Sequence, residues 1–377
     1  MIKPHGKILV KNIVSKEEEL PDKKLVIHDD FVYDVIDIGC GIYSPLTGFL
    51  PEKEYQSVLH EKRLTDGTPW TIPIILPVEE EKSKEFSIDS EILLCDKKGR
   101  KIGILHLHEK YKFNKEEFAR CVFQTVDVRH PGVARLAEYG DVIFAGEVKI
   151  FEDFKDLLGE FKKYFYTPEE TRSEFSKKGW KQVVGFQTRN APHMGHEFLQ
   201  KTALSFLDGL FINPVIGRKK KGDFKDDVIL KSYEILIKNY YPEDRVFLGI
   251  LPMQMRYAGP LEAIHHAIIR KNFGCTHILI GRDHAGVGNF YHPFAAHEIF
   301  KDFPDLEIQP IFFTTFFYCK KCKSIMNEKT CPHKDDRIYF SGTKIREMFQ
   351  QGKCPPEEIF RPEVAEFIMK YDNPFVE

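Results

Sequence analysis

Between Gly185 and Glu197 the chain reads GFQTRNAPHMGHE. Two amides (Gln187, Asn190), a guanidinium (Arg189) and two imidazoles (His193, His196) follow directly on the apolar run Val183–Phe186. A core has no use for so many polar groups, and a solvated loop does not need them straight after a buried strand. Together they suit a small anion. Pro192 fits the first turn of a helix, where orphan backbone N–H groups and the positive end of the helix dipole favour phosphate. His193 and His196 are three apart, so on a helix they share one face and can donate hydrogen bonds to oxygens that gain charge in a transition state. Gly195 is expected to let a ligand approach the backbone. Two histidines that merely cap a helix would leave Gln187, Arg189 and Asn190 without a reason.

Further polar clusters follow other apolar runs. LIGRDHAGVG places Gly281, Arg282, Asp283, His284 and Ala285 after a strand, with glycines that can cradle a phosphate or a base edge. MQMRYAGP places Arg256 before a turn, and GRKKKG places Arg218 to Lys221 after a fourth strand, where such a run usually reads as a solvated face. Gly217 to Asp223 misses the phosphate-loop pattern, because Asp223 and Phe224 stand where Lys and Ser/Thr are required. DIGCGIYS likewise has Ser44 in place of the third glycine of a dinucleotide fingerprint. No Ser–His–Asp set or carboxylate pair accompanies these groups. Positioning and electrostatic stabilisation therefore fit phosphoryl or nucleotidyl transfer better than acyl transfer or glycoside hydrolysis.

Cys319, Cys322, Cys331 and His333 form a C-x2-C-x8-C-x-H cluster. Three thiolates and an imidazole suit tetrahedral Zn²⁺ in a closed structural site. The other five of the eight cysteines (Cys40, Cys95, Cys121, Cys275, Cys354) are scattered and read as reduced, small core residues.

The elements that must position these groups differ along the chain. The 377 residues exceed one average core, so two or three domains are expected. Up to about Lys149, short β-type runs broken by Gly, Pro and Asp suggest a mostly β, barrel-like domain, bounded here as 1–153. Residues 154–180 read as a helical connector, with Thr167 as N-cap and Pro168 at the first helical position. In 181–317 strands and helices alternate. Strands are expected at Val183–Phe186, Leu210–Ile216, Arg245–Leu251, His277–Gly281 and Ile308–Phe313. Helices are expected at His196–Phe206, Asp226–Asn239, Leu261–Asn272 and Pro293–Phe300. This pattern predicts an α/β, Rossmann-like parallel sheet with ligands beyond the strands' carboxyl ends. Residues 318–377 form a small C-terminal region with the cysteine cluster and SGTKIR. A net charge of -2 and the lack of a basic–aromatic stripe argue against a nucleic-acid partner, even one built as a β-barrel plus a zinc module. The N-terminal MIKPHGKILVKNIV lacks the features of a secretion signal, and no run nears the roughly 20 apolar residues of a membrane span. A cytoplasmic location without membrane contact is expected.

QTRNAPHMGHE, MRYAGP, GRDHAG and SGTKIR, in that order, together with SPLTGF at Ser44–Phe49, resemble the ATP sulfurylase family across nearly the whole chain. H-x-G-H alone, or the S-[SG]-T-x-x-R pattern at Ser341–Arg346, would mark only the wider nucleotidyltransferase superfamily. The resemblance implies a PUA-like N-terminal domain and transfer of the adenylyl group of ATP to sulfate, giving adenylyl sulfate and pyrophosphate. It implies that Gln187, Arg189 and the Ala285 backbone hold sulfate. Thr188, Arg189 and Asn190 would form the catalytic turn, His193 and His196 would steady the phosphates, and Gly281, Arg282, Asp283 and His284 would contact the nucleotide. Mg²⁺ with ATP, structural Zn²⁺ and a homodimer are implied in the same way. Many members carry proline directly after the asparagine. Here Ala191 intervenes before Pro192, and the histidine spacing is unchanged. With no matching P-loop, a second, kinase activity is not expected. The alternative within the class is an adenylyltransferase with another acceptor, such as a phosphopantetheine-like group.

Overall fold

Period-two alternation along Val183–Thr188 sends Val183 to one side of a sheet and Val184 and Phe186 to the other, and both sides are buried. The same split recurs in Gly209–Ile216, where Phe211 and Val215 oppose Leu210 and Ile212, and in His277–Ile280, where Ile278 and Ile280 oppose Leu279. Burial on both faces requires cover on both faces, which a parallel sheet with crossover helices provides. In the computed structural model, which describes residues 2–219 and 221–377, these strands are parallel. Their order is Val246–Leu248, Gly209–Ile216, Val183–Thr188, His277–Ile280, Gln309–Phe312, with Leu251–Pro252 also pairing Gly209–Ile216.

Chain order runs outward from Val183–Thr188 in one direction and then resumes on its other side at His277–Ile280. The crevice past the carboxyl ends of these two strands is thus the topological switch point, where open α/β sheets bind ligands. The GFQTRN and GRDHAG segments leave from these two strand tips.

Three expected boundaries shift. The strand expected over Arg245–Leu251 is broken, because the Gly249 N–H still bonds the Ile212 carbonyl of the neighbouring strand but the Ile250 N–H turns away to the Tyr164 carbonyl. The first helix of the sheet domain runs over Met194–Leu204 and so starts ahead of His196. The helix expected at Pro293–Phe300 is one turn, Ala295–Glu298, continued by the 3-10 segment Ile299–Asp302.

The helix Pro260–Phe273 is buried along its whole length. One face lies on the sheet, and the N-terminal domain covers the other. Thr71 Oγ1 donates to the Leu261 carbonyl at 2.6 Å, and Asn272 Nδ2 donates to the Ile42 and Ser44 carbonyls, both at 2.9 Å. One apolar cluster accordingly runs from Leu25 in the N-terminal domain to Ile308 in the sheet domain. Opposite it, Val228, Ile229 and Leu236 of the helix Asp226–Tyr240 pack with Val364, Ala365 and Ile368 of the helix Pro362–Lys370.

The N-terminal sheet has seven strands, and Val142–Phe151 pairs with four of them. Two helices, Asp29–Gly39 and Glu52–Glu61, interrupt the expected β texture. In the connector, 3-10 turns over Phe154–Tyr164 precede the helix Pro168–Lys177, which begins in a capping box between Thr167 and Glu170. Cys40, Cys95 and Cys275 are buried as expected, whereas Cys354 is exposed and not a core residue. No helix among the described residues is long and apolar enough to cross a membrane.

Candidate active site

The strand Val183–Thr188 ends by closing a tight turn on itself. Thr188 Oγ1 accepts the Asn190 N–H and also lies 3.2 Å from the Asn190 carbonyl, to which it can donate. The Asn190 side-chain oxygen accepts from Arg346 Nη1 at 3.2 Å, so the C-terminal helix Gly342–Gln350 holds the turn from outside. Arg189 sits with its guanidinium 4.9 Å from the centre of the Tyr257 ring, and its Nη1 is buried without a partner. Gln187 Oε1 and His196 Nδ1 are also buried and unpartnered. Three such atoms within ten residues are unusual, because buried polar groups are nearly always paired. They are what a site built for a missing polar ligand would show.

His193 is not inside the helix but caps it, its Nδ1 accepting the His196 N–H at 3.3 Å. The two rings stack with centroids 3.7 Å apart, and Phe340 stacks on His193 at 5.4 Å. Pro192 therefore precedes the cap and does not open the first turn. Burial pushes His196 down to about 4 and, with His196 beside it, His193 well below the usual imidazole range. Both rings are neutral at neutral pH. Gly195 has a different reason from the expected one: a Cβ there would meet Phe340 at 2.9 Å and the His193 ring at 3.0 Å, so the stack itself demands glycine.

At the neighbouring strand tip, Asp283 and Ala285 take positive φ (55° and 56°), which folds Gly281–Ala285 back on itself. The Arg282 and Asp283 side chains are exposed and 3.7 Å apart. His284 turns inward, its Nε2 3.1 Å from His266 Nδ1, and the His266 Nε2 lies 3.2 Å from Gln187 Nε2. The two strand tips are thereby joined beneath the surface. The Ala285 carbonyl accepts the Gly259 N–H, tying this loop to MRYAGP.

Arg256 belongs elsewhere. Its Nη2 meets both carboxylate oxygens of Asp34 at 2.9 Å, so it pins the N-terminal domain to the base of the site. Lys219 is likewise no member of a solvated face. Its side chain is 8% exposed and paired with Asp226 at 2.5 Å, while Lys220 lies outside the described residues. Tyr257, Glu262, His266 and Phe340 were not singled out in the sequence. The available signal was the pair His265–His266 in the middle of the apolar run Ala263–Ile269.

Cys319, Cys322, Cys331 and His333 converge at one end of a three-stranded antiparallel sheet (Phe316–Cys319, Ser324–Asn327, Arg337–Tyr339). Their donor atoms all lie within 4.8 Å of one another. Cys322 Sγ and Cys331 Sγ are 3.8 Å apart, and His333 Nδ1 lies 3.3 to 3.9 Å from the three sulfurs. A disulfide needs about 2.05 Å. The edge of a tetrahedron with metal–sulfur bonds of about 2.3 Å is about 3.8 Å. The group could hold a metal such as zinc, with His333 as the fourth ligand.

The ATP-sulfurylase family model matches residues 162–371, and a PUA-like domain model matches residues 2–153. A sulfate adenylyltransferase of Pyrococcus abyssi is 50% identical over 385 residues, spanning 100% of this chain and 99% of the relative. That of Ignicoccus hospitalis is 48% identical over 382 residues, spanning 99% of each. Among solved structures, a hexameric APS kinase from Thiobacillus denitrificans is similar in fold, with a TM-score of 0.76 at 22% identity over 99% of this chain and 69% of that one. The crevice at the switch point, with its unpaired polar atoms, is thus carried by a chain that belongs to the ATP sulfurylase family.

Proposed function

We propose that Gln187, Thr188, Arg189, Asn190, His193 and His196, with the loop Gly281–Ala285, are the groups by which this chain performs the reaction of its family. That reaction transfers the adenylyl group of ATP to sulfate: a sulfate oxygen forms a bond to the α-phosphorus, the bond to the bridging oxygen of the β-phosphate breaks, and pyrophosphate leaves. No proton moves, because sulfate is already fully deprotonated at neutral pH. A general base would have nothing to do, and a carboxylate near the anions would repel them. The site fits this requirement, since Gln187, Thr188, Arg189, Asn190, His193 and His196 are cationic or neutral, and the one carboxylate of the neighbouring loop, Asp283, is exposed and lies 3.7 Å from Arg282. The observation that carries the reading is the set of buried, unpartnered atoms on Gln187, Arg189 and His196 at the switch point.

In this reading Gln187, Arg189 and the Ala285 backbone hold sulfate, Thr188 to Asn190 form the turn that presents it, and His193 and His196 donate to the phosphates. Gly281, Arg282, Asp283 and His284 contact the nucleotide. Holding two anions in line against their repulsion is worth several orders of magnitude in rate, on the order of 10⁵ M in effective molarity. Mg²⁺ on the ATP phosphates would lower the same repulsion. Zn²⁺ on Cys319, Cys322, Cys331 and His333 would fix the small antiparallel sheet from which Phe340 leads to the His193 ring. A cytoplasmic homodimer completes the proposal.

A coupled pyrophosphate-release assay, run with ATP and with or without sulfate, tests it. Release should depend on sulfate, and molybdate or selenate should substitute, because a pocket for a tetrahedral oxyanion accepts them. Release that is indifferent to all three, yet restored by a phosphopantetheine-like acceptor whose phosphate takes the adenylyl group, would overturn it.

A further inference from the structure

Behind Gln187 lies a run of buried and part-buried groups, of which the reaction above uses only His284, as a nucleotide contact. Gln187 Nε2 is 3.2 Å from His266 Nε2, and His266 Nδ1 is 3.1 Å from His284 Nε2. His266 and Glu262 are fully buried, and Glu262 Oε1 stands 3.5 Å from the same His266 Nε2. The Glu262 oxygens already accept the backbone N–H groups of Arg256 and Ala258 at 2.9 and 3.0 Å, so the carboxylate is anchored in place. Burial holds both imidazoles well below their usual range, with Arg270 adding to it, so both are neutral. A neutral imidazole has one N–H and one lone pair. The run therefore has two self-consistent directions.

In one, Gln187 gives an N–H to His266 and His266 gives its Nδ1–H to His284. This leaves the His266 Nε2 lone pair facing the Glu262 carboxylate. It also leaves a bare carbonyl oxygen as the only end of the Gln187 amide free for a ligand. In the other, His284 Nε2–H donates to His266 Nδ1, and His266 Nε2–H donates to the amide oxygen of Gln187 while facing Glu262 favourably. The two ends of an amide have nearly the same shape, so the surrounding donors decide which way it points. The second direction gives up only a weak N–H contact to the Met255 sulfur at 3.7 Å.

We propose that His284 and His266 are positioning residues that turn the Gln187 –NH2 toward the bound oxyanion, making the pocket donor-only and selective against an oxyanion that carries a proton. The proposal rests on the reading of Gln187 as a sulfate contact. Sulfate has no proton at neutral pH, whereas hydrogenphosphate, of the same shape, keeps an O–H that needs an acceptor. A pocket of donors leaves that O–H unpaired, and the discrimination follows from the buried polar group left unsatisfied.

Two measurements on the full chain test this. Nitrogen-15 shifts of the histidine rings, assigned with His266→Gln and His284→Gln, should show the Nε2–H tautomer at both positions. An Nδ1–H tautomer at His266 overturns the proposal whatever the enzyme's activity. In kinetics, His266→Leu should raise KM for sulfate about tenfold and strengthen competitive inhibition by phosphate, with KM for ATP nearly unchanged. His266→Gln, which can still donate an N–H to Gln187, should recover most of the loss. An unchanged KM for sulfate in a folded His266→Leu protein also overturns it. Wild-type protein with the expected tautomers but no sulfate-dependent pyrophosphate release would instead count against the function on which the proposal rests.

Discussion

Arg346 donates to the side-chain oxygen of Asn190 across 3.2 Å, so the C-terminal helix Gly342–Gln350 fixes a turn formed 156 residues earlier in the chain. Asp223, 3.9 Å from the same guanidinium, steadies it from the other side. Arg346 thus acts on the turn and not on the fold, because its helix is held independently by Ile345 and Phe349 in the apolar cluster. Arg346→Ala should lower kcat/KM about 10- to 100-fold through a misplaced Asn190, with melting temperature changed by no more than about 2 °C. An Arg346→Ala, Asn190→Ala double variant should be hardly worse than either single one, since the two act as a unit. Additive losses in the cycle would show that they do not.

Arg189 offers a sharper separation of activity from stability. Its packing on Tyr257 is worth about 0.5–1 kcal/mol, whereas an unpaired donor aimed at a charged transition state is worth about 3 kcal/mol. Arg189→Ala should therefore cut kcat/KM by roughly 10²- to 10³-fold while the urea midpoint stays close to that of the wild type. Near wild-type turnover in this variant would remove Arg189 from the chemistry.

The cysteine cluster makes a prediction about composition and about local order. Elemental analysis of the purified protein should find about one zinc per chain, as a closed tetrahedral site would hold. Ligand geometry and metal binding are linked to folding, so Cys322→Ser should lower the melting temperature by about 5 °C or more and open the Phe316–Tyr339 segment to limited proteolysis. Metal-free protein with unchanged stability and unchanged protease resistance would exclude the assignment.

Much of this site was legible because its groups are contiguous in sequence and follow an apolar strand. Gln187 to His196 and Gly281 to Ala285 could be placed at strand tips from the alternation of apolar runs alone. What the sequence hid depends on distant partners. Arg256 looked like a ligand-binding cation until Asp34, 222 positions away, was seen beside it. Gly195 looked like room for a ligand, yet Phe340 and His193 occupy that room. Lys219 lay in a charge run whose usual fate is solvent, and only the fold brings Asp226 to it. The same limit explains Pro293–Phe300. Apolar spacing predicts a helix there, but the Pro293 carbonyl is taken by the Asp283 N–H and the segment is bent into the GRDHAG loop.

The stacked histidines set a direction for stability against pH. His196 is held down to about 4 from 6.5 by burial, and His193 is lowered in the same sense. As pH falls below about 6.5, the unfolded chain takes up protons that the folded one refuses. Their contribution to stability is therefore complete above that pH and is lost on acidification toward 4, at up to about 1.4 kcal/mol per pH unit for each histidine. His5, also lowered to about 4 by burial, adds a term of the same sign, so the wild-type decline is shared among several rings. His196→Asn removes one share. Between pH 7 and pH 5 the urea-unfolding free energy of this variant should fall less steeply than that of the wild type, by at most one histidine's slope. Identical slopes would mean that the His196 ring accepts its proton as readily in the folded protein as in the unfolded chain. In that case the neutral-donor role given to it in phosphate binding would have to be abandoned.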